Sequence, residues 1–551
     1  MDMTTQPAVA SPWKPLKVRV FLWLWIASIA SNIGTWMHEV GSGWLMTSMS
    51  ASPQAIALVQ VAGALPVFLL ALPAGALADI VNKRRYLLAV QCWMAGVAVA
   101  LTLLTLTGQM TVTLLLTLTF AMGIGNALMM PAWSALAPEI VSREDVPSAV
   151  ALSSLAMNVA RAVGPAIAGV LVSLSGPWLT FALNSVSFIA VIVALYAWRH
   201  TPVPATLPAE RLWGAIRAGV RYTRGSAPLR AVLIRTAAFF VGAVVGMALL
   251  PLLVRREMGG TALDYGVLLG SVGAGAIVGA MLLPRLRARL SAGRIVMAAS
   301  VVYAAVLFGL AELRSMAALA PLLFISGIAW IAVLSSLQVS VQTSVPSWVR
   351  ARAVSLYILV FFGCSAAGAA GWGMVAAHFS MQVAFMGGGA ALLLGVLAGR
   401  RFKLPDSRIE DMQPSQHWPM PQLDPAAGER GPVMITIDYR IAEPDAPAFI
   451  QAMGAVNQMR KRNGAFSWGL MQDSKDPLQW QEYFVEESWL EHLRHHGRMT
   501  KADQRIEAQA RAFQAAGVPV GIRHLLSAPA NILLNASATG RRQSTAGNAP
   551  H

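Results

Sequence analysis

Between positions 20 and 399 the chain alternates long apolar runs with short polar connections. Each run is long enough to cross about 30 Å of hydrocarbon, which takes about 20 helical residues. Twelve membrane helices are predicted, over 20–44, 55–78, 86–107, 111–135, 149–174, 177–198, 232–252, 264–286, 295–311, 316–340, 353–376 and 380–399. The long connection 199–231 parts them six and six. Within it, "RLWGAIRAGVRYTRG" places Leu212, Trp213, Ile216 and Val220 on one helical face and Arg217, Arg221 and Arg224 on another. That pattern suits a helix lying in a membrane interface, and equally a basic loop with some helix.

After Lys403 the pattern changes. Residues 402–431 read as an extended, proline-rich linker. Beyond it, "VMITIDY" alternates as a strand, and Phe449, Met453 and Val456 recur at helical spacing. "FSWGLMQ" and "LQWQEYFV" alternate again, 487–515 is predicted as one long helical segment, and "VPVGIRHLL" closes as a strand. The order strand-helix-strand-strand-helix-strand predicts a ferredoxin-like α+β sandwich. The expected organisation is an N-terminal segment 1–19, a six-helix half 20–198, a central loop 199–231 and a second half 232–401. The linker 402–431, an α+β domain 432–527 and a disordered tail 528–551 follow.

Composition agrees with a membrane protein: 56% of the residues are apolar and 12% charged. The net charge of +16 raises the question of nucleic acid, but its placement answers it. Basic residues crowd alternate connections, among them Lys14, Lys17, Lys83, Arg84, Arg85, Arg143, Arg285, Arg287, Arg350 and Arg400, whereas the opposite side has only Arg255, Arg256 and Arg314. By the positive-inside rule both termini are expected in the cytoplasm, and no nucleic-acid partner is implied. The N-terminal segment lacks a compact hydrophobic region ending in small residues, so the first span is expected to stay. Cys92 and Cys364 fall in distant spans and support neither a disulfide framework nor a thiol metal site.

Between spans two and three stands "GALADIVNKRR". Gly75 would let two helices approach closely, and Asp79 at a helix C-terminus opposes its own helix dipole, so it should seek another helix N-terminus or an arginine. The stretch resembles the loop motif of the major facilitator superfamily: Gly75, Asp79, Arg84 and Arg85 match, while Ile80 and Asn82 depart. The resemblance implies a conformational latch. The corresponding "GAMLLPRLRAR" keeps Gly279, Arg287 and Arg289 but has Leu283 in place of the acid. In span five, "NVARAVGPAIAGV" places Gly164, Pro165 and Gly169 in a kink that resembles the Gly-Pro signature of exporting members, with Ala168 departing from it. Over roughly 15–526 the chain resembles the branch containing siderophore (enterobactin-type) and macrolide exporters. That implies twelve helices in two six-helix halves and transport without ATP hydrolysis; no Walker-type phosphate loop is present.

Three polar residues inside spans are the coupling candidates: His38 and Glu39 in "NIGTWMHEVGSGW", and Arg161 near the midplane of span five. Depth counting puts Glu39 near the outer hydrocarbon edge, roughly 10 Å from the level of Arg161. Trp36, Met37 and Trp44 nearby suit a bulky substrate. The expected function is a proton-coupled exporter of siderophore-like or hydrophobic antibiotic-like compounds in the cell membrane, without catalytic residues or cofactor. Nutrient uptake, or a tethered enzyme or sensor acting through the C-terminal domain, is the alternative. That domain is similar to small cofactor-free monooxygenase domains that pair as dimers. His492, His495 and His496 share a helical face, but with no obvious fourth ligand no metal is assigned. Trp468, Trp480, Phe484 and Trp489 are expected in a core or a pairing surface.

Overall fold

The computed structural model describes residues 13–134, 136–142, 144–198, 221–404, 415 and 430–527, apart from a few side chains including that of Asp79. The predicted interfacial segment up to 220, Arg143, most of the linker and the tail lie outside the described residues. The chain divides into two units. One comprises Met1–Trp213, Ala231–Val341 and Val354–Asp406; the other comprises Gly214–Arg230, Gln342–Ala353 and Ser407–His551.

Among the described residues twelve helices are long and apolar enough to span a membrane, and they lie wholly or mostly in the first unit. They are α1 (Arg19–Met49), α2 (Pro53–Ile80), α3 (Lys83–Leu106), α4 (Val112–Ser134), α5 (Val146–Ser175) and α6 (Trp178–Ala197). The second half follows as α7 (Ala227–Leu252), α8 (Ala262–Arg289), α9 (Ala292–Glu312), α10 (Met316–Thr343), α11 (Ser347–His378) and α12 (Met381–Arg401). Polar caps set several starts: Asn82 accepts from Arg85 N to open α3, and a Thr261–Asp264 capping box opens α8. Prolines such as Pro66, Pro131 and Pro165 sit inside helices, where neighbouring helices tolerate them.

Small residues carry the joint between the halves. A Cβ on Gly169 would stand 2.9 Å from Gly266 Cα, and one on Gly273 would stand 2.5 Å from Ala162 Cα, so α5 and α8 touch backbone to backbone. On the other flank, Gly363 of α11 packs on Phe68 of α2, and Gly373 on Ala57. Arg255 Nη1 donates to Thr47 Oγ1 at 3.2 Å and Arg256 Nη1 to the Ala51 carbonyl at 3.1 Å. These contacts run from the middle of the helices to the face opposite the N-terminus. On the N-terminal face, an added Cβ on Gly75 meets nothing within 4 Å among the described residues.

In the second unit, strands β1 (Val433–Arg440), β2 (Ser467–Gln472), β3 (Gln479–Glu486) and β4 (Gly521–Leu526) form an antiparallel sheet in the order β2-β3-β1-β4. With α13 (Ala446–Asn463), α14 (Trp489–Arg498) and α15 (Lys501–Arg511), this is the expected ferredoxin-like arrangement. Its core gathers Val433, Ile435, Phe449, Met453, Val456, Trp480, Phe484 and Trp489, and Trp468 packs against it. The single helix expected over 487–515 is instead two. Thr500 and Asp503 form a capping box that starts α15 afresh after Met499. Buried Arg460 pairs with Glu482 at 2.9 Å and Glu507 at 2.5 Å, while Trp468 Nε1 and Tyr439 Oη donate to Glu482. In the same unit Arg498 lies 4.5 Å from the Trp348 ring centroid, and Arg462 lies 5.9 Å from that of Tyr222.

Candidate functional site between the helical halves

Successive faces of α1 sort its polar residues. Gly34, His38 and Gly41 share one face: Gly34 packs on Asn184 and Ser187, and Gly41 on Thr180 and Phe181, all on α6. His38 is buried there, its ring 5.1 Å from that of Phe181 and its Nε2 3.4 Å from Ser42 Oγ. The fold therefore holds His38 inside the first half, away from the joint.

Trp36, Glu39 and Gly43 share another face. Trp36 packs on Gly164 of α5, and Gly43 meets Tyr265 of α8 and Pro251 of α7. Glu39, between them, thus faces the joint between the halves rather than lipid. Its side chain is exposed, and the groups coupled to its charge are Arg161 of α5 and Tyr265 of α8. Trp44 stacks on Tyr265 with centroids 6.1 Å apart, and Arg255 lies 5.3 Å from the Trp44 centroid. Aromatic rings and cations thus line the joint beyond the carboxylate.

Arg161 occupies the middle of α5. Its guanidinium lies 5.5 Å from the Trp36 ring centroid. Nε and Nη1 are buried and meet no hydrogen-bond partner among the described residues. Glu39 faces this cation without forming a direct ion pair with it. An exposed carboxylate near a cation with unspent donors can exchange a proton with water, and the cation can bind an anionic group.

The span-five residues divide their work. Gly164 admits the Trp36 side chain, Gly169 admits α8, and the Pro165 carbonyl would lie 2.7 Å from a Cβ on Gly266. At the loop motif, Arg84 donates to the Leu195 and Tyr196 carbonyls at the end of α6, at 3.0 and 2.6 Å. Arg85 contributes its backbone N–H to the Asn82 cap. Within this conformation the described motif contacts stay inside the first half.

The sequence model of a family described as "Transmembrane secretion effector" matches residues 10–531. The Staphyloferrin A transporter of Staphylococcus aureus (strain NCTC 8325 / PS 47) is 24% identical over 46% of this chain, and Macrolide efflux protein A of Streptococcus pyogenes 21% identical over 32%. The matched regions span 64% and 42% of those relatives' own lengths. Among solved structures, the nucleoside transporter NupG superposes with a TM-score of 0.55 at 13% identity, covering 70% of this chain and 98% of that one, a likeness of fold.

Proposed function

The chain belongs to the transmembrane secretion effector family of major facilitator transporters, and on that premise we propose that it is a proton-coupled exporter of small molecules working by alternating access. The observation that carries this reading is the Arg161 guanidinium, two of whose nitrogens are buried without a partner among the described residues, facing exposed Glu39 at the joint between the halves. An exporter run by an inward proton gradient exchanges proton for substrate. The substrate loads while Glu39 is ionised, with a donor group on the carboxylate and an anionic group on the Arg161 donors. Protonation of Glu39 from the outer face displaces the substrate and accompanies the return stroke. Trp36, Trp44 and Tyr265 offer ring faces to a bulky compound, siderophore-like or hydrophobic antibiotic-like.

The basic connections support a cytoplasmic N-terminal face. The described contacts between the halves run from the middle to the opposite face, which supports a conformation open to the inside, the state in which an exporter loads. Gly75, Asp79, Arg84 and Arg85 then serve as the latch of the alternate state. The test is efflux from proteoliposomes under an imposed pH gradient, with a macrolide and a siderophore as probes. Glu39→Gln is expected to abolish the gradient-driven component; undiminished driven transport would remove Glu39 from the mechanism.

A further inference from the structure

We propose that His492, His496 and His524 form a binding site for one divalent transition-metal ion of the zinc class, joining α14 to β4. His492 and His496 are one turn apart and so share a face of α14. His524 reaches them from the sheet. It stands opposite Ile435 in the β1–β4 ladder, and Ile435 stands opposite Phe484 in the β1–β3 ladder, so the three share the face that carries the core. The ligand nitrogens of the three imidazoles all lie within 4.8 Å of one another. His492 Nε2 and His496 Nε2 are 3.1 Å apart. Tetrahedral zinc with Zn–N bonds of about 2.0–2.1 Å requires nitrogens about 3.3 Å apart, so the widest separation has to close by up to about 1.5 Å, a distance that side-chain rotation covers.

The surroundings are those of a ligand set. Buried Glu486 accepts from His492 Nδ1 at 2.8 Å, and its other oxygen accepts from His495 Nδ1. With the proton of His492 fixed on Nδ1, its Nε2 presents a lone pair toward His496 and His524, the carboxylate–histidine arrangement that orients metal-bound imidazoles. The Trp489 ring lies 5.2 Å from that of His492 and 5.7 Å from that of His524, walling one side. His496 and His524 are half-buried, which leaves a path for the ion. Three imidazoles select zinc, copper or nickel over magnesium and calcium, and the fourth position falls to water or an external ligand. His495 belongs to the Glu486 support and not to the ligand set.

The test uses the full chain purified in detergent without a polyhistidine tag, stripped with chelator and titrated with Zn²⁺ against a fluorescent competitor, then with Co²⁺. One ion per chain and the visible absorption of tetrahedral Co²⁺ are expected. His496→Gln and His524→Gln should each weaken binding at least tenfold, whereas His378→Gln, on α11, should leave it unchanged. Both ligand variants spare the Glu486 carboxylate, and elution and circular dichroism confirm that they fold. Absence of saturable binding by the unmodified chain, or unchanged affinity in either ligand variant, overturns the assignment.

Discussion

The guanidinium of Arg161 lies over the ring of Trp36, 5.5 Å from its centroid, at the level where α1 and α5 meet the second half of the molecule. The ring stabilises the cation yet leaves its N–H groups unspent, so the two residues make a receptor for an anion with an aromatic floor. Arg161→Gln is expected to lower the transport rate of an anionic substrate at least tenfold. Trp36→Leu keeps an apolar side chain against Gly164 but removes the ring and with it a cation–π contribution of about 0.5–1 kcal/mol, and should weaken apparent affinity about two- to fivefold. Concentration-dependent efflux from proteoliposomes checks both, and equal effects of the two substitutions would contradict the division of roles.

Alternating access requires the α5–α8 seam to part. A Cβ on Gly270 would stand 3.5 Å from Ala166 Cβ, within the range of about 3.5–4.5 Å that a disulfide spans. With Cys92 and Cys364 replaced by serine, the pair Ala166→Cys and Gly270→Cys should oxidise readily, stop transport and release it on reduction. Peptide mapping reports the bond and efflux reports its consequence. Free transport with the bond intact would show that this seam is not the moving one.

The twelve spans were legible because each is an apolar run of membrane length, and hydrocarbon leaves a helix few alternatives. Depth was less legible. The first helix continues past the predicted residue 44 to Met49, because Thr47 and Ser48 satisfy their hydroxyls on the carbonyls of Trp44 and Leu45. Counted from the outer ends of α1 and α5, Glu39 and Arg161 then differ by about 6 Å rather than 10 Å. The facing direction of Glu39 rests on Gly43 and Gly164 contacts with residues over a hundred positions away, which periodicity cannot supply. His524 was missed for the same reason, although pairing the closing strand with the first strand would have put it on the core face. The "TKAD" stretch did carry a signal, the capping box that divides α14 from α15.

Arg460 is fully buried between Glu482 and Glu507. Burial works against its charge, but the two carboxylates outweigh that penalty and push its pKa above the usual arginine value. Arg460→Met leaves buried Glu482 without its cation and Glu507 without its nearer one, Arg511 standing 3.6 Å away, and should destabilise the sandwich by about 3–5 kcal/mol. Adding Glu482→Gln and Glu507→Gln should recover much of the loss, because amides need no counter-charge. Urea unfolding of the full chain, followed through a fluorescent label at exposed Lys475→Cys in the Cys92→Ser, Cys364→Ser background, checks both. A milder loss from Arg460→Met than from the triple variant would refute the account.

Gly75 offers a way to read the latch. In this conformation an added Cβ meets nothing within 4 Å among the described residues, so Gly75→Val adds little steric strain against them. If the opposite conformation brings a second helix against Gly75, the same side chain obstructs it and shifts the population toward the state described. A shift of about 1.4 kcal/mol would change the ratio of states tenfold. The Ala166→Cys and Gly270→Cys pair reports that ratio, since its bond forms only while the seam is closed. Gly75→Val is therefore expected to speed the oxidation and slow transport together. Slower oxidation, or slow transport with oxidation unchanged, would mean that Gly75 acts through something other than the approach of two helices.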